Sequence, residues 1–145
     1  MNNIEIYKKN VSFYDDKDFN ETYTLNDNCV EYTSMYKSCE LKLAINTTTH
    51  IINSILISIT DDSKYIKSIM NAFYSVIQNM PILEAQDHSI LRLEELLRDN
   101  SISHPVKGVI MPTNSCHLFD IPQYLIRDIY KQYCEKENYH PFANT

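Results

Sequence analysis

Near residue 61 the spacing of apolar side chains changes from every second residue to every third or fourth, and one element cannot carry both periods. Before that point the pattern is that of strands. Leu41, Leu43 and Ile45 form one apolar row, and Ile55, Ile57 and Ile59 form another opposite Ser54, Ser58 and Thr60. The two rows predict an antiparallel hairpin bending through the polar residues 46–50. Ile4 with Ile6, Val11 with Phe13, Tyr23 with Leu25 and Val30 with Tyr32 alternate in the same way, separated by Asn/Asp clusters, and predict shorter strands.

After residue 60 the pattern is helical. Asp61, Asp62 and Ser63 offer capping oxygens and negative charge at a helix start, and Ile66, Ile69, Met70, Phe73, Val76, Ile77 and Met80 then fall on one stripe, with Pro81 marking its end. A second helix is expected from about Asp87 to Arg98, burying Ile90, Leu91, Leu93, Leu96 and Leu97 and turning Glu94 and Glu95 to solvent. The β-branched stretch 105–111 lies between prolines and predicts a further strand, in which Gly108 suggests a bulge or close backbone approach. A third helix starts near Asp120, with Gln123 completing a capping box, Pro122 in the first turn and Ile121, Leu125, Ile129 and Tyr133 on the inner face. The tail from Asn138 onward reads as loose. The expectation is one α+β domain over residues 1–145: a mostly antiparallel sheet from the N-terminal half, with about three helices on one face.

Composition then removes several functions. A chain of 145 residues with 43% hydrophobic and 22% charged residues is long enough to bury a core, hiding roughly two thirds of its unfolded surface. It holds one glycine, where average usage of about 7% would give about ten. Loops that cradle phosphate need several glycines to let backbone amides close around an anion, so nucleotide and dinucleotide sites are excluded and no cofactor is expected. Fourteen asparagines are available for left-handed turn positions instead. The N-terminus lacks the order of a secretion signal, and no apolar stretch approaches the roughly 18 residues of a membrane span, which predicts a soluble, cytoplasmic protein. Its four cysteines contain no CxxC pair and are expected as reduced thiols; the sequons at Asn10, Asn20 and Asn46 then carry no information. Net charge is −6 and only three cations are arginine, a poor balance for gripping nucleic acid.

Residues 98–117 gather the chemically reactive types. Arg98 and His104, with five residues between them, resemble the R-x4-6-H signature of HEPN ribonucleases. That resemblance implies an arginine steadying a phosphate and a histidine moving a proton from a ribose hydroxyl. It covers seven residues, and the family is all-helical where the first sixty residues here read as strands. Cys116 lies just before the third helix, where a thiol gains acidity, but its neighbour His117 points the other way along an extended chain, so a base would have to come from His50, His88, His104 or His140. His104, Cys116, Cys134 and His140 are all metal-ligand types, at intervals that match no common zinc spacing, and no metal is expected.

The residues most suggestive of function are acidic. Asp15, Asp16, Asp18 and Glu21 form a turn without the glycine of a calcium loop, and Tyr14 stands beside them with Tyr23, Tyr32 and Tyr36 further on. Negative charge steers a basic partner and tyrosines anchor interfaces, so Tyr14, Asp15, Asp16, Asp18 and Glu21 are the expected partner-binding residues of an inhibitor or immunity protein facing a nuclease toxin or host enzyme. The alternative is a small hydrolase or ribonuclease using Arg98, His104 or Cys116. A homo-oligomeric structural subunit is a third reading.

Overall fold

Among the described residues strands come first and helices after. The structure, a computed structural model, describes residues 23–60, 64–97 and 119–141. Strands β1 (Cys29–Tyr36), β2 (Cys39–Asn46) and β3 (Ile52–Ile59) form an antiparallel sheet in the order β1-β2-β3, and helices α1 (Lys64–Ile77), α2 (Ile82–Leu97) and α3 (Asp120–Lys136) follow. This is an α+β fold, as the change of period predicts. The predicted strands at residues 4–6, 11–13 and 105–111 lie outside the described residues, and Tyr23 to Leu25 is not a strand.

Alternation explains the sheet. Cross-strand register lines up Val30, Ile45 and Ile52; then Tyr32, Leu43 and Ile55; then Ser34, Leu41 and Ile57; then Tyr36, Cys39 and Ile59. These twelve side chains share the inner face, and all of β2's four are buried. Ile52 and Ile55 are both buried although three residues apart, because the ladder shifts register opposite Ala44 and Ile45, which restores Ile52 to the inner face.

The helices close this face: α1 packs on β3, α3 along β1 and onto β2, and α2 against both other helices. Ile69, Met70, Phe73 and Ile77 of α1, with Met80 beyond its end, are buried as the stripe predicts. The other helices correct the sequence reading. Helix α2 starts at Ile82, not Asp87, because Pro81 serves as its first-turn residue, with Ala85 N–H donating to Pro81 C=O, and does not merely end α1. Ile82, Ala85, Ser89 and Leu93 point inward, Leu91 and Leu96 are exposed, and Glu94 is fully buried rather than solvated. At α3 the N-cap is Phe119, with no side-chain capping bond, in place of the expected Asp120–Gln123 box. Ile129, Leu125 and Tyr133 are buried as expected, with Ile121 half-buried.

Turns are made almost without glycine. Among the described residues, four other than glycine have left-handed backbones: Lys37, His50, Asn79 and Asn138. The two asparagines follow α1 and α3, and at α3 the Tyr139 N–H reaches back to Cys134 C=O, closing the helix around Asn138. Lys37 sits in the two-residue β1–β2 turn with φ 54, a conformation that costs a residue with a Cβ about 1 kcal/mol. Its ammonium lies 5.5 Å from the Tyr36 ring centre, an exposed contact of lesser value. Lys37→Gly is therefore expected to raise stability by about 0.5–1 kcal/mol, read as a higher urea midpoint at unchanged slope.

Candidate functional site

The residues that sequence reasoning favours cannot be placed: Tyr14, Asp15, Asp16, Asp18 and Glu21, and likewise Arg98, His104 and Cys116, lie outside the described residues. Of the tyrosines around the acidic turn, Tyr32 is not a surface anchor but a core residue. Its inward position on β1 buries the ring, and its hydroxyl donates to Glu137 at 3.1 Å. Of the possible metal ligands, Cys134 is a half-buried free thiol and His140 Nε2 lies 2.9 Å from Asn138 Oδ1. No group of three or more His, Cys, Asp or Glu side chains able to hold a metal occurs among the described residues.

What the fold does assemble is an aromatic knot that sequence reading missed. The Asn46 side chain accepts from the Thr48 and Thr49 N–H groups and organises the β2–β3 turn, which places His50 in the left-handed region with φ 61. The imidazole then stacks on Tyr139 at 4.1 Å between ring centres, and its Nδ1 lies 2.6 Å from the hydroxyl of Tyr133, a fully buried residue of α3. Tyr133 meets the rings of His50, Tyr139 and Tyr32 edge-on. Tyr139 thus ties down the segment after α3 that the sequence suggests is loose.

Burial pushes the Tyr133 hydroxyl up to about 12, with the nearby Glu137 charge adding to it, and burial followed by the Glu137 bond does the same for Tyr32. Both phenols are therefore held neutral. A neutral Tyr133 hydroxyl can donate to Nδ1 or accept from Nδ1–H, so the bond forms with either imidazole tautomer. A catalytic tyrosinate needs the opposite displacement, so this knot works as a clamp between the β2–β3 turn and the C-terminal end of α3.

Two surfaces stand apart from the knot. On the outer face of the sheet, Tyr23 donates to Glu31 at 2.5 Å and the Thr24 N–H to Ser54 Oγ at 3.3 Å, laying this segment across β1 and β3. Around it lie Glu31, Glu40 and Lys42, with Lys42 3.7 Å from Glu31, and the exposed apolar side chains of Leu25 and Met35. Where β1 ends, an open groove of about 500 Å³ runs along α3, lined by Tyr36, Asp120, Gln123, Tyr124, Arg127, Asp128 and Lys131. Tyr36 and Tyr124 stack in it at 4.3 Å. The α3 residues of this lining recur every three or four positions, a spacing that was legible but unremarked because they are polar.

Comparison of the chain with protein-family models, with curated proteins and with solved structures finds no match.

Proposed function

We propose that the protein is a binding protein of the inhibitor or immunity type, which covers a basic partner with its acidic N-terminal stretch and the outer face of its sheet. The observation that carries this reading is the pair of bonds from Tyr23 to Glu31 and from Thr24 to Ser54. Glu21 is two residues before Tyr23, so the stretch with Asp15, Asp16 and Asp18 joins the described fold at a face already bearing Glu31 and Glu40. On the described part of this face Lys42 lies 3.7 Å from Glu31, and within the stretch Lys17 stands between Asp16 and Asp18. Leu25 and Met35, at 53% and 68% exposure, supply apolar contact beside the charge, and apolar contact ringed by charge is how protein partners are gripped and oriented.

The test starts from proteins captured by the full chain. A captured partner with a basic surface is expected to associate at least about tenfold more slowly with an Asp15→Lys, Asp16→Lys, Asp18→Lys variant at low salt, and nearly equally at high salt, where screening removes the steering. Equal rates at low salt would sink the reading. So would RNA cleavage by the purified protein that disappears in His104→Ala, which belongs to the hydrolase alternative.

A further inference from the structure

The carboxylates lining the α3 groove are already engaged, and its cations are not. Asp128 accepts from the Gln132 amide at 3.2 Å, and Asp120 has a contact within the chain. Arg127 and Lys131 are exposed and enter no ion pair or hydrogen bond among the described residues. Beside them stands a flat aromatic surface. Tyr124 stacks one ring face on Tyr36 at 4.3 Å, with 20° between the planes, yet stays 47% exposed, so its other face is open. We propose that this groove binds a nucleoside monophosphate, its base stacked on Tyr124 and its phosphate held between Arg127 and Lys131.

Spacing and size fit that ligand. Arg127 is three residues beyond Tyr124, and Lys131 four beyond Arg127, so all three line the groove from one side of the helix. The point midway between the two cations lies about 7 Å along the axis from the ring, a gap that a ribose spans between a base and its 5′-phosphate. A guanidinium grips phosphate through two parallel bonds, and the lysine adds a point charge. The groove volume of about 500 Å³ is that of a small-molecule site. Tyr36 braces Tyr124 from below, so the stack forms with little further ordering. Side chains hold the phosphate here, so the glycine-rich loop that this chain cannot build is not required. A nucleic acid would bring many phosphates against a chain of net charge −6, which favours the free nucleotide. One stacked face and an exposed phosphate contact correspond to a dissociation constant on the order of 100 µM. The groove is separate from the outer sheet face, and the inference does not rest on the proposed function.

Calorimetric titration of the full chain with adenosine monophosphate at low salt tests it, with adenosine and inorganic phosphate as the two halves of the ligand. Adenosine monophosphate is expected to bind at about 100 µM, and each half at least about tenfold more weakly. Tyr124→Ala is expected to weaken binding about tenfold, and Arg127→Gln with Lys131→Gln to reduce it to the level of adenosine and remove its salt dependence. The decisive arm is Asp128→Asn, which keeps an acceptor for Gln132 but removes a negative charge beside the phosphate. It is expected to tighten adenosine monophosphate about twofold or more and to leave adenosine unchanged, a gain that a folding defect cannot produce. Adenosine monophosphate that binds no better than adenosine, or indifferently to Tyr124→Ala, or no more tightly to Asp128→Asn, would each overturn the proposal. Tighter binding of a short single-stranded oligonucleotide would overturn it in favour of nucleic acid.

Discussion

Tyr133→Ala is expected to lower the free energy of unfolding by about 3–5 kcal/mol, while Tyr133→Phe lowers it by about 1–2 kcal/mol. The ring is fully buried, and it is the element through which Tyr32 on β1, His50 on the β2–β3 turn and Tyr139 beyond α3 meet. Truncation to alanine leaves a void among residues of three separate elements, which cannot all relax into it. The phenylalanine variant keeps the volume and removes only the hydroxyl, stranding His50 Nδ1 in a half-buried position. Urea unfolding of both variants at neutral pH measures the difference. Combining Tyr133→Phe with His50→Ala should cost less than the sum of the two, by about 1 kcal/mol, since the bond is lost only once. Additive costs would mean that the contact at 2.6 Å contributes nothing to stability.

This knot also shows where sequence reading stops. The strands, the hairpin bend and the inward face of α1 are local matters: period and turn chemistry act within a few residues, and those expectations survive in β2, β3 and α1, while the expected cap at Asp61 to Ser63 lies outside the described residues. Helix α2 fails for a local reason too, since Pro81 ends one helix pattern and starts the next, and the buried Ile82 and Ala85 that mark its inward face fall before the expected start at Asp87. The His50–Tyr133 bond is different in kind. It joins residues 83 apart, and nothing in either neighbourhood marks them as partners. The same holds for Gln132, whose side chain donates to the Thr33 carbonyl of β1 at 3.0 Å across 99 positions of sequence. A histidine in a left-handed turn looks, in sequence, like any polar loop residue.

The neutral state of the buried phenols makes the fold sensitive to alkali, and the sign follows from linkage. Tyr133 and Tyr32 are held up to about 12 in the folded protein against the ordinary value of 10.0, so between those limits the folded chain keeps protons that the unfolded chain releases. Their contribution is fully present below pH 10 and is lost as pH rises through about 12. Both phenols therefore contribute a loss of stability in alkali. Burial also raises Tyr23, Tyr130 and Tyr139, which adds to the same slope. A cooperative alkaline unfolding between pH 11 and 12 is therefore expected, in which tyrosinate absorbance and loss of helical circular dichroism rise together. Tyr133→Phe removes one of the groups that must ionise, so its stability, lower than wild type at neutral pH, should fall less steeply above pH 10. The chain has no tryptophan, so the ultraviolet signal reports its eleven tyrosines directly. Complete ionisation near pH 10 with the helix signal intact would show that Tyr32 and Tyr133 are reached by water, and would remove the clamp with them.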